Sequence, residues 1–463
     1  MYRFRSTGAL LDKHNELMNQ EIYFPSMGEL NDPMEGFKYL TFEGDVIVWK
    51  NLISNYLICF NHLFISAYIV DESTEFSADD IPVWKTIDDL ETPEYRSIIN
   101  EILDRFFAEE VVIELLSYIN SRKTKIYQDE VFVQLSKLHV LVLYHFMSVY
   151  AKRGLVDKNV IIEPNRKMLL DLFLVWKNTR LDEILDSNKL DILYQVQKSI
   201  LNEIDLNFAI ENIHNPSQQK KWFLINAFPQ AYLNKIQELA YSNVYVSCFM
   251  SECIDPAIWG YYGNGHTGVA LRYKTIKNGD NYSIYLHEPN GVKYPVSKGN
   301  RRFNFKKVLY GNTYQEINFF TSLGRLPLAR LMKYWYEDGS GQLSECYEAI
   351  KDESVWRGKY WNQFYGIYCR KLESWQKENE YRLILADSLH DRKKMEQRKF
   401  RYDFNDLDAV IFGKKTNLKD KIELINIIKQ KCQAIKRTDF NFYQADISPL
   451  TGKIELDRLS IIL

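Results

Sequence analysis

A chain of 463 residues, 46% hydrophobic and 26% charged, is long enough for a large core or two to three domains, and its composition excludes a disordered chain. The formal charge of -2 supplies no global positive field for nucleic acid or an anionic membrane, so such a partner requires a local basic patch. Six cysteines without a Cys-x-x-Cys pair or regular spacing exclude a zinc ribbon and a secreted disulfide framework, and a reducing, cytoplasmic setting is expected.

The chain opens with Met1-Tyr-Arg-Phe-Arg-Ser-Thr-Gly8, which lacks the apolar run of a signal peptide and is expected to form a strand over Tyr2–Arg5. Ile22-Tyr-Phe leads into a turn at Asn31-Asp32-Pro33, where Asn and Asp bond their own backbone and Pro33 keeps Asp32 out of helix, and Glu35 follows. Between Gly44 and Gly260 the only glycine is Gly154, while Ile102, Phe106, Leu115, Ile119, Leu135, Val142 and Val149 recur at helical spacing. Thr92 before Pro93 and Glu94 is a helix start, and residues 45–240 are expected to form an all-helical insertion. The longest apolar stretch, Leu138–Ala151, is interrupted by His139, His145 and Ser148 and falls short of the ~18 to 20 residues that cross a bilayer, so no membrane partner is expected.

After residue 240 the period changes. Val244–Phe249, Gly268–Tyr273, Glu380–Ala386 and Leu407–Gly413 are short, β-rich and bounded by turn residues, so they are expected to be strands of one sheet. A second, aromatic-rich helical stretch lies near 318–376. The expected architecture is α+β (mixed α/β): a split sheet built from both ends of the chain, 1–44 and 241–463, around the helical insertion.

Two segments carry candidate chemistry. Val246–Tyr273 holds Ser247, Ser251, the pair Tyr261 and Tyr262, and His266 within Gly263-Asn-Gly-His-Thr-Gly268, a supply of hydroxyls, ring faces and close backbone for a nucleotide or nicotinamide. A tight turn with a satisfied histidine explains the same residues structurally. At Glu378 and Glu380 two carboxylates stand two apart where a strand begins, so they share one face, and their mutual repulsion raises the pKa of one of them. The structural alternative is a solvated strand edge paired with Lys377 or Arg382.

Taken together, Tyr2–Arg5, the run from Ile22 to Glu35, Ser247-Cys-Phe-Met-Ser251, Trp259-Gly-Tyr-Tyr-Gly-Asn-Gly-His266-Thr-Gly268, Trp375-x-x-Glu378-x-Glu380-Tyr-Arg382 and Val410-Ile-Phe-Gly413 resemble the bacterial family catalogued as domain of unknown function 2971. That family carries no established reaction. The chain is also similar, at a strand arginine, a strand serine and a glutamate-x-glutamate, to the arginine-serine-glutamate class of ADP-ribosyltransferases. That resemblance implies NAD as substrate: Arg3 or Arg5 would hold phosphate or ribose, Ser247 or Ser251 the nicotinamide-side ribose, and Glu380 the ribose hydroxyl, with Glu378 orienting the acceptor. Ser247-Cys-Phe departs from the usual serine-threonine-serine.

The function expected is an intracellular NAD-using effector, an ADP-ribosyltransferase acting on protein or nucleic acid in a toxin or phage-defence role, with catalytic Glu380, Glu378 and His266 and with NAD bound by Arg3, Arg5, Ser247, Ser251, Tyr261 and Tyr262. The alternatives are a scaffold whose helical insertion engages a partner protein, an NAD glycohydrolase, or a serine hydrolase using Ser251 and His266, although no Gly-x-Ser-x-Gly elbow is present.

Overall fold

A computed structural model describes residues 1–462 except 72–73, 123, 180–183, 290–299, 387–391 and 393. It is 53% helix and 18% strand, an α+β protein. Two compact units divide it: a sheet unit of Met1–Lys38, Asn243–Gln315 and Phe364–Leu463, and a helical unit of Tyr39–Ser242 and Glu316–Gln363.

The strands in chain order are β1 (Tyr2–Arg5), β2 (Glu21–Tyr23), β3 (Tyr39–Thr41), β4 (Tyr245–Met250), β5 (Val269–Tyr273), β6 (Ile276–Asn278), β7 (Asn281–His287), β8 (Asn300–Lys307), β9 (Leu309–Tyr310), β10 (Glu316–Asn318), β11 (Arg370–Lys371), β12 (Glu380–Leu385), β13 (Lys399–Tyr402), β14 (Leu407–Phe412), β15 (Asn441–Ile447) and β16 (Ile454–Leu459). The main sheet runs β16-β15-β14-β5-β1-β4-β12-β8-β7-β13-β2, with β6 on β7. The N-terminal strand thus lies in one sheet with β4 and β12, despite their distance in sequence. Short strands cannot satisfy their backbone groups alone, and here both ends of the chain supply the neighbours.

The position of β1 opens the sheet. β1 pairs with β5 along its whole length, Tyr2↔Arg272 to Arg5↔Val269, but meets β4 only at Tyr2↔Met250. β4 continues along β12 from Met250↔Glu380 to Tyr245↔Leu385. At the far end of β4, the segment after β2 closes in: Val246 N–H donates to Pro25 O at 2.9 Å and Ser26 bridges Tyr245. The free edge of β4 between these two contacts, around Ser247, faces a cleft. Beneath it, Leu17, Ile22, Phe24, Phe249, Leu271, Phe303, Leu383 and Phe400 form a continuous core.

In the helical unit, every regular element described between residues 90 and 240 is a helix. The Pro93–Phe107 helix starts as its sequence dictates, with Thr92 accepting from Tyr95 N–H at 3.1 Å. The Val46–Ile69 and Gln128–Lys152 helices are long and apolar enough by length and composition to span a bilayer, the second extending beyond the stretch singled out in the sequence. Their most apolar windows are 61% buried, and they are the core helices of this unit. His139, which interrupts the apolar run, is satisfied inside: its Nε2–H donates to Leu224 O and its Nδ1 accepts from Tyr56, both at 2.7 Å.

Two boundaries differ from expectation. The aromatic-rich stretch splits, and Glu316–Gln363 belongs to the helical unit because Phe319, Phe320 and Trp335 pack with Phe42 and Trp49 in one aromatic cluster. That unit is also not purely helical, since β3 and β10 pair in parallel there.

Candidate functional site

The cleft beside β4 has a volume of about 450 Å³, and its lining includes Arg3, Arg5, Lys13, His14, Tyr23, Glu35, Ser247, Cys248, Tyr262, Lys371, Glu378 and Glu380. Its two walls carry charge of opposite sign.

The cationic wall is built on β1. Arg3 and Arg5 are two apart in a strand and therefore share a face. Both bind one carboxylate: Arg3 Nη1 reaches Glu16 Oε2 at 3.1 Å, and Arg5 donates through Nε to the same oxygen at 2.8 Å and through Nη2 to Glu16 Oε1. Burial opposes ionisation of Glu16, yet the two guanidiniums hold its pKa below the usual carboxylate range. Two cations against one anion leave this wall a positive charge. Lys13 and His14 add basic groups at the rim.

The acidic wall is a buried network. Lys371 Nζ contacts three carboxylates, Glu378 at 2.7 Å, Glu380 at 2.9 Å and Glu35 at 3.1 Å. Arg382, fully buried, donates through Nε to Glu380 Oε1 at 2.8 Å, through Nη1 to Tyr368 O at 2.7 Å and through Nη2 to Glu35. Local pairing positions these groups: β11 lies parallel to β9, and Tyr310 of β9 accepts from Glu380 N–H at 2.9 Å. Glu378 closes the network by accepting from the Tyr262 hydroxyl.

Three carboxylates against two cations leave this wall negative, and the environment separates their proton affinities. Burial would raise Glu380, but Arg382 and Lys371 win and hold it ionised with a pKa of about 2. At Glu35 burial prevails over Arg382 and Lys371, at Glu378 it prevails over Lys371, and both are raised above the ordinary glutamate value. Groups whose environments push their pKa values apart are candidates for distinct acid and base roles. The solvation expected in the structural alternative is overturned, since Glu378 and Glu380 are buried, while its pairing with Arg382 holds at Glu380 and the second cation is Lys371 and not Lys377.

Between the walls, Ser247 Oγ is buried and has no hydrogen-bond partner. A buried hydroxyl left unpaired costs about 1 to 3 kcal/mol unless a ligand or ordered water completes it, so Ser247 marks a polar contact reserved at the cleft.

Arg3, Arg5, Ser247, Tyr262, Glu378 and Glu380 therefore come together, as their sequence pattern suggested. Ser251, Tyr261 and His266 do not line this cleft. Ser251 is exposed beyond the end of β4, and no hydrogen bond links it to His266 among the described residues. Tyr261 points outward against the Trp375 ring. The glycine turn serves packing: a Cβ on Gly268 would lie 2.5 Å from Arg5 O, and one on Gly413 would lie 2.3 Å from His266 O. His266 adopts φ 71°, and its carbonyl accepts from Lys415 N–H at 2.9 Å. The close backbone approach that Gly268 and Gly413 permit is between this turn, β1 and the end of β14. Burial and the nearby Lys415 and Lys414 lower the His266 pKa, keeping it neutral.

Glu16 and Lys371 are the site residues that sequence reasoning missed. Neither stands in a spaced motif. Lys371 is one of three cations, with Arg370 and Lys377, between Tyr368-Cys369 and the two glutamates, and nothing in the sequence singles it out. Comparison with known protein families, with curated protein sequences and with solved structures finds no match for this chain.

Proposed function

We propose that the cleft binds NAD and that the protein is an ADP-ribosyltransferase-type effector. The observation that carries this reading is the charge gradient across one cleft, with an unpartnered serine hydroxyl between its ends. NAD has a matching polarity, since its pyrophosphate is anionic and its nicotinamide ring cationic. The pyrophosphate would take the Arg3–Arg5 wall, the nicotinamide-side ribose would complete Ser247, and the pyridinium would face the acidic wall near Tyr262.

In the reaction the bond from ribose C1′ to the ring nitrogen breaks, its electron pair leaves with neutral nicotinamide, and an acceptor oxygen or nitrogen bonds to C1′ as it loses a proton. Glu380, held ionised, supplies fixed negative charge beside the developing oxocarbenium character. Glu378, with a raised pKa, is placed to take the acceptor's proton. The acceptor would be a protein or a nucleic acid.

A second reading is a non-catalytic nucleotide-binding cleft on a scaffold. One observation favours it: both oxygens of Glu380 are already engaged by Arg382 and Lys371. Incubation with NAD labelled in the nicotinamide, alongside calorimetric binding of NAD, separates the two. Release of nicotinamide that is lost in Glu378→Gln supports transfer or hydrolysis. Binding without release supports the scaffold, and no binding removes both.

A further inference from the structure

We propose that the outer face of the sheet over β8, β7 and β13 binds single-stranded nucleic acid. The inference does not rest on the NAD reading of the cleft, because it concerns other side chains and is tested without NAD.

Strand register fixes which side chains share that face. β7 and β8 pair from Tyr282↔Phe305 to His287↔Asn300, and β13 meets β7 at Arg401↔His287 and β2 at Lys399↔Tyr23. Leu286, Phe303, Phe305 and Phe400 turn inward to the core. Side chains alternate along a strand, so the opposite face carries Arg302 and Lys306 of β8, Tyr285 and His287 of β7, and Lys399 and Arg401 of β13.

The charge of this face is out of balance. The whole chain has 59 Lys and Arg against 61 Asp and Glu, yet within these strands and β2 the face holds four cations and one carboxylate, Glu21 opposite Arg401. None of the four cations forms an ion pair among the described residues. Carboxylates at the strand ends are engaged elsewhere: Glu288 by Arg301 and Arg392, and Asp403 by the Asn405 amide. Arg302 is held in position, since its Nε–H donates to the buried Ser283 hydroxyl at 3.1 Å, and its Nη groups have no partner among the described residues. A guanidinium fixed in this way presents a fork suited to phosphate.

The groups between the cations name the occupant. Tyr285, 40% exposed, stands in register with Arg302, the exposed Asn304 amide lies two residues along β8, and Lys306 lies over the Tyr365 ring at 4.5 Å. Cations interleaved with ring faces and amides match a polyanion that carries planar bases, the cations following its phosphates and a ring stacking on a base. A duplex hides its base faces, and an acidic peptide has none. An anionic membrane fits poorly, because Tyr285 is the only exposed large apolar side chain described on these strands. The face ends at Tyr23, which also lines the cleft, so a strand bound here reaches the cleft mouth.

Fluorescence anisotropy of a labelled oligothymidylate of about 16 nucleotides, titrated with the full chain without NAD, tests the proposal. Binding is expected with a Kd on the order of 1–100 µM at physiological salt, and log K should fall against log salt with a slope of about -3, or about 0.7 for each of four phosphate contacts. Arg302→Gln and Arg401→Gln should each weaken binding roughly three- to tenfold and make the slope shallower by about 0.7, with thermal unfolding unchanged. Tyr285→Ala should weaken binding roughly five- to tenfold at an unchanged slope. Lys351→Gln, an equal loss of charge at an exposed site of the helical unit, should leave binding as it is. No binding up to about 1 mM, a slope indifferent to both arginine variants, or tighter binding to a duplex of the same length, to phosphatidylserine vesicles or to polyglutamate would each overturn the proposal.

Discussion

The two walls of the cleft handle buried charge in opposite ways. On β1, two arginines share one glutamate; around β12, one lysine and one arginine serve three glutamates. The first arrangement leaves an unfilled capacity for an anion, and the second leaves room for a proton or a cation. Both are sequestered enough for their imbalance to persist instead of being screened by solvent. A cleft polarised by stoichiometry would suit a ligand that is itself polarised, as the proposed function requires.

The largest effect should come from breaking the acidic wall. Arg382→Met leaves Glu35 and Glu380 buried with Lys371 as their remaining cationic partner, and removal of one partner from a buried network commonly costs about 3 to 5 kcal/mol. Hydrogen exchange at the β12 amides should register this loss, whereas Arg357→Met in the helical unit should leave those amides unchanged. Glu380→Gln belongs to the same class. A strand-start glutamate read from sequence would tolerate this change at small cost, but its burial and double pairing make a loss of stability the expected outcome.

Acid should discriminate the carboxylates next. With a folded pKa of about 2 against an unfolded value near 4.3, Glu380 contributes about 3 kcal/mol of stability above the unfolded value, lost as pH falls towards 2. Glu16 has the same sign. Glu35 and Glu378, raised by burial, have the opposite sign: what they contribute is complete below the unfolded value and fades as pH rises through their folded values. Exchange protection at β12 against pH should thus fall on both sides, and Glu35→Gln should flatten the high-pH side only. An unchanged high-pH limb in that variant would show that Glu35 does not hold the extra proton.

Smaller effects concern binding. Arg5→Ala should weaken binding of ADP-ribose, the pyrophosphate portion of NAD, by roughly 10- to 100-fold, the value of one or two charge-assisted contacts, while Glu16→Gln should tighten it by uncovering both guanidiniums. Equal weakening by both would mean that Glu16 is needed to hold the arginines in place. Smallest of all, Ser247→Ala should leave stability unchanged or raise it by about 1 kcal/mol, because a buried unpartnered hydroxyl is removed, yet reduce NAD affinity by roughly fivefold. Calorimetry on the paired variants decides each case.

Much of this arrangement was legible in the sequence. The four β-rich runs and the helical spacing over 45–240 report their own periods, and period is what a sequence displays best. Glu378 and Glu380 were legible as a pair sharing a neighbourhood, and Arg3 with Arg5 as two residues on one strand face. What was hidden is contact between distant segments. Lys371 carries no mark of the three carboxylates around it, and Glu16 none of its two arginines. The glycine turn was hard to read for a related reason: Gly263, Gly268 and Gly413 do permit close approach, but the sequence does not say that the approaching atoms are Trp259 at Gly263, β1 backbone at Gly268 and the turn's own His266 carbonyl at Gly413. The stretch 318–376 shifted units because aromatic residues advertise burial without saying in which core.

The pairing of β1 with β5 also has a temporal side. On a ribosome adding about 5 to 20 residues per second, Tyr2–Arg5 emerges on the order of tens of seconds before Val269–Tyr273 exists to receive it. The helical segment 45–240 is made during that wait and can begin to form local structure, while the first strand remains an unpaired edge. Closure of so long a loop is slow compared with helix formation. Newly made chains are therefore most exposed to misassembly and to chaperone capture after the helices have formed and before β5 has been delivered, and the acidic wall of the cleft comes into being only when β12 docks on β4.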